Sequence, residues 1–89
     1  MKKRIRFIAN PFSGTKSKRN LETYIKTYLD QNQYEWELIF TDYAGHAIEL
    51  AKEAVDKKYF MVVAVGGDGS INDVSQSLIH TDTVLGILP

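Results

Sequence analysis

Apolar positions along this chain switch between two periods, and the switching predicts strands separated by helices. Residues 60–65 are apolar throughout, which is typical of a central strand covered on both faces. Within residues 34–40, Trp36, Leu38 and Phe40 alternate with Glu35 and Glu37, which predicts an edge strand with one solvated face. Two further strands are predicted over residues 4–8 and 84–88.

Helical periodicity fills the stretches between these strands. Apolar residues recurring every three to four positions predict helices over residues 16–31 and 45–57 and a shorter one over 70–78. In the first helix, the apolar residues predicted to share one face are Leu21, Ile25, Tyr28 and Leu29. In the second helix, the residues predicted to point inward are Ala47, Leu50 or Ala51, Ala54 and Val55.

Strands that alternate with helices imply right-handed crossovers and a parallel sheet. We therefore predict a three-layer α/β/α fold with about four strands in the order 2-1-3-4. This order places strands 1 and 3 side by side, so the loops that leave their carboxyl ends are neighbours. Ligands of open α/β sheets bind at that edge.

Length and composition indicate one small domain. The chain has 89 residues, of which 44% are hydrophobic and 25% charged, as in ordinary globular proteins. With no cysteine, it has neither a disulfide framework nor a thiolate metal site. The apolar stretch after Met1 is broken by Arg6, Asn10 and Pro11, which is too polar for a signal peptide, and no run approaches the ~20 apolar residues of a membrane helix.

The formal net charge is zero, but its distribution is uneven. Residues 1–19 carry seven of the eleven Lys and Arg residues and no acid. One interpretation is a solvated strand end followed by a solvated helix start. The other is a positive region for phosphates or for peripheral contact with an anionic membrane surface.

The turn Gly66–Ser70 is the strongest chemical signal in the sequence. Three glycines surround Asp68 between a predicted strand and a predicted helix, and each glycine costs backbone entropy on folding. The spacing fits neither G-x-x-x-x-G-K-[ST] nor G-x-G-x-x-G. The arrangement nevertheless favours a phosphate held by backbone N–H groups at a helix N-terminus.

Two residues of this turn invite separate predictions. Ser70 is predicted to cap the third helix, with Asp73 as its capping-box partner. Asp68 would repel a phosphate unless Mg²⁺ lies between them, or unless its carboxylate hydrogen-bonds a hydroxyl. The alternative is a tight turn with a solvated carboxylate.

Two other loops are predicted at the same edge. The loop after strand 1, residues 10–16, opens with Asn10 and Pro11, and Lys16, Lys18 and Arg19 follow at a helix start, where cations oppose the helix dipole. An anion site or a plain capped loop would both explain it.

After strand 2, Thr41 could meet a nucleotide base or ribose, or Thr41 or Asp42 could cap the second helix. His46 reads as a cap or surface group, with phosphate contact as the alternative, and Trp36 as a packing residue.

These motifs, in this order and spacing, resemble the diacylglycerol kinase catalytic domain family over essentially the whole chain. Phosphofructokinases and NAD kinases share the Gly-Gly-Asp-Gly loop, but the Asn-Pro-x-Ser-Gly loop and the Gly-His-Ala element favour the lipid kinases. The matching segments are Asn10–Gly14, Thr41 with Gly45–Ala47, Gly66–Val74 and Leu85–Pro89.

The resemblance implies transfer of the γ-phosphoryl group of MgATP to a lipid hydroxyl, such as that of diacylglycerol. ATP and Mg²⁺ would be the cofactors, and Asp68 would be the catalytic, metal-linked residue. The nucleotide-binding residues implied are Asn10, Pro11, Phe12, Ser13, Gly14, Thr41, Gly66, Gly67, Asp68, Gly69, Ser70, Ile71 and Asn72.

The chain departs from the family pattern in two ways. Ser70 stands where Thr is usual, which keeps the hydroxyl. The family continues beyond the position of Pro89 into a further glycine turn and a β-rich domain with the general base, so we expect residues 1–89 to be a truncated, inactive N-terminal ATP-binding domain.

The resemblance also implies a cytoplasmic protein, with the inner face of the membrane as the place of any peripheral contact, and no nucleic-acid partner. The exposed sheet edge would favour self-association. The alternatives are an NAD kinase, a phosphofructokinase-like kinase, or a non-catalytic nucleotide-binding module.

Overall fold

The computed structural model describes residues 2–11 and 18–88, with the side chain of Lys18 left out. Within these ranges four parallel strands form one sheet in the order β2-β1-β3-β4, and three helices connect them. The predicted fold class and strand order are confirmed. The elements are β1 Lys3–Ala9, α1 Lys18–Tyr28, β2 Tyr34–Phe40, α2 His46–Asp56, β3 Met61–Val65, α3 Asp68–Leu78 and β4 Val84–Leu88.

Side-chain alternation along the inner strands builds two cores, one on each face of the sheet. Val63 and Val65 face α1, where they pack with Leu21 and Ile25. Val62 and Ala64 face the opposite way, towards a core that includes Ala47, Ala51 and Ala54 of α2 and Val74 and Leu78 of α3. The prediction that β3 is covered on both faces is therefore confirmed, as is the inward face of α2.

Helix α1 ends earlier than its periodicity predicts. Its last helical hydrogen bond runs from the Leu29 N–H to the Ile25 carbonyl. Asp30 then accepts hydrogen bonds from the Asn32 N–H at its carboxylate and from the Gln33 and Tyr34 N–H groups at its carbonyl. An aspartate that bonds its own downstream backbone favours a turn over helix, so residues 29–31 are not helical.

Tyr28 shares the predicted apolar face of α1 but is not buried with it. Leu21 and Ile25 are buried, but Tyr28 is 74% exposed and its ring packs against Tyr24 at a centroid distance of 4.7 Å. Tyr28 is the last residue of α1 and lies on the same helix face as Ile25, but it borders an open groove over β3 and β4, so its ring stays exposed.

A buried arginine organises the α2 side of the sheet. Arg6 is 3% exposed, and its guanidinium donates to Glu37 at 2.5 Å, to Glu53 at 2.7 Å and to the Leu50 carbonyl at 2.9 Å. Tyr59 donates its hydroxyl to Glu37 at 2.8 Å and packs its ring under the guanidinium. We call these four side chains, Arg6, Glu37, Glu53 and Tyr59, the Arg6 cluster.

The charge of Arg6 survives burial because of its partners. Burial alone would lower the pKa of the guanidinium, but the hydrogen bonds to Glu37 and Glu53 outweigh it and raise the pKa above its ordinary value. The hydrophobic pattern did not predict this cluster, although Arg6 lies directly opposite Glu37 in the register of β1 and β2. The alternation in β2 predicts that Glu37 faces solvent. Its carboxylate instead accepts hydrogen bonds from Arg6 and Tyr59.

None of the described helices combines the length and the apolar character needed to cross a bilayer.

Candidate phosphate-binding site

The carboxyl edge of the sheet brings the predicted loops together. Ala9 pairs with Phe40 of β2 and with Val65 of β3, so Asn10, Thr41 and Gly66 leave three adjacent strands. Neighbouring strands lie about 4.8 Å apart. The Thr41 N–H extends the ladder by donating to the Ala9 carbonyl at 2.9 Å, and the Gly66 N–H does the same towards Leu88 at 3.0 Å.

Helix α3 begins two residues before the predicted cap. Gly67 occupies the N-cap position with no side-chain hydrogen bond, Asp68 is the first helical residue, and the Ile71 N–H donates to the Gly67 carbonyl at 3.2 Å. Ser70 lies inside the first turn and is only 9% exposed. The prediction that Ser70 caps α3 with Asp73 as its partner is therefore wrong.

The early start of α3 changes which groups face outwards. The first N–H groups of a helix, here those of Asp68, Gly69 and Ser70, have no acceptor within the helix. Gly67 cannot supply one from a side chain, so these donors lie at the positive end of the helix dipole without a cap. An anion is the ligand that such an end favours.

The presence of glycine at positions 66 and 69 of the turn Gly66–Ser70 has a different physical cause at each position. Gly66 has φ +104°, a conformation that L side chains rarely adopt. Gly69 is different, because a Cβ there would meet no neighbouring heavy atom within 4 Å. Neither backbone conformation nor packing within the described residues requires Gly69. Close approach of a ligand would require it. We refer to Gly66–Ser70 as the glycine turn.

Asp68 is exposed at the start of α3, where the positive end of the helix dipole stabilises its carboxylate. Within the described part of the chain, no three His, Cys, Asp or Glu side chains are grouped to hold a metal ion. Mg²⁺ commonly binds through one or two carboxylates together with substrate phosphates. Asp68 fits that kind of shared site, in which the nucleotide supplies the remaining oxygens.

Helix α2 begins without a side-chain cap. Its N-cap is Gly45, at φ +88°, with no side-chain cap hydrogen bond. The interpretation that Thr41 or Asp42 caps this helix is therefore wrong. His46 accepts a hydrogen bond at Nδ1 from the Asp42 N–H, at 2.9 Å, so it organises the loop. Thr41 is half-buried at the strand end.

The remaining predicted site residues fall into two groups. Asn10 is half-buried and Pro11 exposed at the end of β1, while Ile71 packs against the α2–α3 core and Asn72 is exposed. Residues 12–17 lie outside the described part of the chain, and they include the predicted site residues Phe12, Ser13 and Gly14 and also Lys16. The loop after β1 is therefore described only at its first two positions.

Trp36 packs edge-on against Phe7, with ring centroids 6.3 Å apart, which confirms its packing role.

The cations of residues 2–4 lie at the amino edge of the sheet. Lys3 lies over the Phe60 ring and Arg4 over the Tyr59 ring, each at 4.5 Å, at the amino end of β1. Seven strand residues at about 3.3 Å each separate them from the glycine turn by roughly 20 Å. Lys2, Lys3 and Arg4 therefore cannot contact a phosphate held there.

Fold and site together define a three-layer α/β/α protein whose parallel sheet carries an uncapped, glycine-rich helix start at its carboxyl edge. Comparison with known proteins narrows this class. The family model of the diacylglycerol kinase catalytic domain matches residues 4–89 of the sequence. The chain belongs to that family of lipid kinases.

Two curated relatives illustrate the similarity. The diacylglycerol kinase of Bacillus subtilis (strain 168) is 38% identical over 98% of this chain, and the sphingoid long chain base kinase 5 of Saccharomyces cerevisiae is 38% identical over 85% of it. The matched regions make up 29% and 11% of these relatives. The chain thus spans about three tenths of the length of the bacterial relative.

Solved structures agree on the fold. A diacylglycerol kinase from Bacillus anthracis str. Sterne superimposes on 98% of this chain with a TM-score of 0.73, although only 21% of the residues are identical. The match covers 32% of that chain.

Proposed function

We propose that this chain is the nucleotide-binding part of an ATP-dependent lipid kinase. The parent reaction transfers the γ-phosphoryl group of MgATP to a lipid hydroxyl, as in diacylglycerol. The observation that carries the proposal is Gly69: its missing side chain leaves space that no atom of residues 2–11 and 18–88 occupies, at the uncapped start of α3. Family membership supplies the choice of lipid kinase over other phosphoryl transferases.

The phosphates would bind at the glycine turn. The N–H groups of Asp68, Gly69 and Ser70 provide donors that need no rearrangement, and the dipole of α3 adds favourable electrostatics. The absent Cβ of Gly69 would allow phosphate oxygens to approach the backbone. Phosphoryl transfer depends mainly on positioning and electrostatic stabilisation, which such a turn provides.

Asp68 is assigned the metal-linked role. Its carboxylate and a phosphate repel each other unless a cation lies between them, so Asp68 would hold the nucleotide through Mg²⁺. The metal, when bound, neutralises charge on the phosphates. Asn10 and Thr41, on the neighbouring strand ends, would hold the base or ribose, with Pro11 fixing the backbone of that loop.

A calorimetric titration tests this assignment. The chain should bind MgATP saturably, and Asp68→Asn should weaken that binding about 10-fold, as loss of one charge-assisted contact does. ATP without metal should bind Asp68→Asn at least as tightly as the parent, because the repulsion is gone. Asp82→Asn, an exposed aspartate in the α3–β4 loop, is the matched control and should change neither value. Equal effects of the two substitutions would overturn the role of Asp68.

Activity is tested in the context of a full-length relative. We expect the 89-residue chain alone to transfer no phosphoryl group to diacylglycerol, since it matches only 29% of its bacterial relative. A chimera in which it replaces that part of the Bacillus subtilis enzyme should phosphorylate diacylglycerol. NAD and fructose 6-phosphate, assayed in parallel, test the alternative kinases. Transfer to either of these, with none to lipid, would contradict the proposal.

A further inference from the structure

Three side chains at the start of α2 form an ordered cluster that the proposed phosphate site does not use. The rings of Tyr43 and His46 stack with centroids 4.4 Å apart and planes 13° from parallel. The Tyr43 hydroxyl donates to the Glu49 carboxylate, and this hydrogen bond raises the pKa of the phenol, so the ring is neutral at neutral pH. We call Tyr43, His46 and Glu49 the Tyr43 stack.

The Tyr43 stack is fixed on several sides. His46 is itself held by the hydrogen bond that its Nδ1 accepts from the Asp42 N–H. Glu49 and His46 both belong to the first turns of α2, so the tyrosine is attached to a regular helix at its hydroxyl and at one ring face. Little side-chain freedom remains to be lost when a ligand contacts the ring.

Much of the Tyr43 ring is accessible among the residues that the structure describes. Tyr43 is 57% exposed even though His46 covers one face. Tyr59 shows the contrast, because Arg4 and Arg6 pack on its ring and it is 8% exposed. A rigid aromatic ring with one free face is a stacking surface for a planar ligand.

The position of the Tyr43 stack matches the layout of a nucleotide. It follows β2, and the glycine turn follows β3, with β1 between them. Two strand spacings separate the loops by about 10 Å. In a nucleotide the ribose separates the base from the phosphates. Phosphates at the start of α3 would therefore leave the base on the side of the sheet edge where β2 ends.

We propose that Tyr43 is the platform on which the base of the bound nucleotide stacks. The inference rests on the proposed function, which it deepens by assigning the base. Stacking on an aromatic face depends on the presence of a flat base far more than on its hydrogen-bonding groups. Tyr43 would therefore contribute to affinity for ATP and for GTP, and not to affinity for a phosphate chain without a base.

Two ligands and three variants test the platform. MgATP and magnesium tripolyphosphate are titrated into the parent chain, Tyr43→Phe, Tyr43→Leu and the control Tyr28→Ala, an exposed tyrosine at the opposite edge of the sheet. Tyr43→Leu should weaken MgATP binding by about 10-fold, with tripolyphosphate unchanged. Tyr43→Phe keeps the ring and should stay within about two-fold of the parent, and Tyr28→Ala should have no effect.

The failures are distinguishable. A Tyr43→Leu variant that binds MgATP as tightly as the parent would overturn the platform and leave the proposed function standing. Equal weakening of both ligands would also overturn it, because that pattern indicates a disturbed phosphate site. A parent chain that binds neither ligand would overturn the proposed function and the platform together. Upfield shifts of the adenine protons on binding, lost in Tyr43→Leu, give a second readout of ring stacking.

Discussion

The Arg6 cluster and the glycine turn use polar groups in opposite ways. In the cluster a buried guanidinium donates to two carboxylates and a backbone carbonyl, and no buried side-chain nitrogen or oxygen in the described part of the chain lacks a partner. In the glycine turn the first N–H groups of α3 have no side-chain cap, and a Cβ at Gly69 would meet no heavy atom of the described residues within 4 Å. Polar groups that hold the fold are paired within the chain, whereas those assigned to a ligand are left available.

The largest expected effect comes from breaking the Arg6 cluster. Arg6→Met keeps much of the side-chain volume but removes the cationic donor of Glu37 and Glu53, and it leaves Glu37 with only the Tyr59 hydroxyl as a donor. We expect the free energy of unfolding to fall by about 2–3 kcal/mol, below the range for a fully buried pair because both glutamates are half-exposed. Urea unfolding measures it. Arg4→Met, on the same strand, is the control and should cost less than about 1 kcal/mol. Equal losses of unfolding free energy in the two variants would show that the Arg6 cluster contributes no more to stability than the contacts of Arg4.

Gly69→Ala should separate stability from binding. The added Cβ meets no atom of the described residues, and alanine favours helix more than glycine does, so the free energy of unfolding should rise by about 0.5 kcal/mol. The same Cβ would obstruct phosphate approach, and MgATP affinity should fall at least about 10-fold. Thermal unfolding and calorimetry on one preparation measure both. Unchanged affinity would mean that no ligand approaches Gly69.

A smaller effect is expected from acid. The hydrogen bond from Arg6 lowers the pKa of Glu53 below its usual value of 4.5. The folded chain therefore binds this proton less tightly than the unfolded chain, so Glu53 contributes stability above that value and loses it as the pH falls through the folded pKa.

Unfolding titrations from about pH 7 to about pH 3 should show a shallower acid loss in Glu53→Gln than in the parent. In the Arg6→Met background the two residues at position 53 should behave alike. A difference that persists there would assign the acid loss to some other partner of Glu53.

The smallest effect concerns a third kind of surface, apolar and unpaired. The edge strand β4 exposes Val84 and Ile87, beside an apolar groove of about 240 Å³ lined by residues that include Phe7, Met61 and Leu88. Such an edge favours self-association. We expect weak, concentration-dependent association by light scattering, reduced several-fold by Ile87→Lys. If light scattering shows a monomer at every concentration, the exposed edge of β4 does not drive self-association.

Strand positions and strand order were predictable because each depends on nearby residues. The alternation in residues 34–40 and the apolar run before Gly66 reproduce β2 and β3 to within a residue, and the crossover rule then fixes a parallel sheet. The loops that carry Asn10, Thr41 and Gly66 could be assigned to one edge on this basis alone.

Helix ends were less predictable. Ser70 has the chemistry of a cap, but Gly67 can take the N-cap position, and burying Ser70 in the first turn lets Val74 and Leu78 reach the core. The apolar period of the first helix continues to Leu29, but hydrogen bonds of Asp30 to the backbone that follows it end the helix at Tyr28. In both places, packing and turn hydrogen bonds overruled a local preference.

The sequence by itself determined the α/β/α class, the parallel order of the strands and the edge at which the glycine turn lies. Only the tertiary structure decided that Arg6 is a buried structural residue, since its partners Glu37 and Glu53 are 31 and 47 positions away. It also decided that α3 begins at Asp68 and that Tyr43 stacks on His46. Periodicity reports which face a residue takes, but the pairing of polar groups depends on which elements the fold brings together.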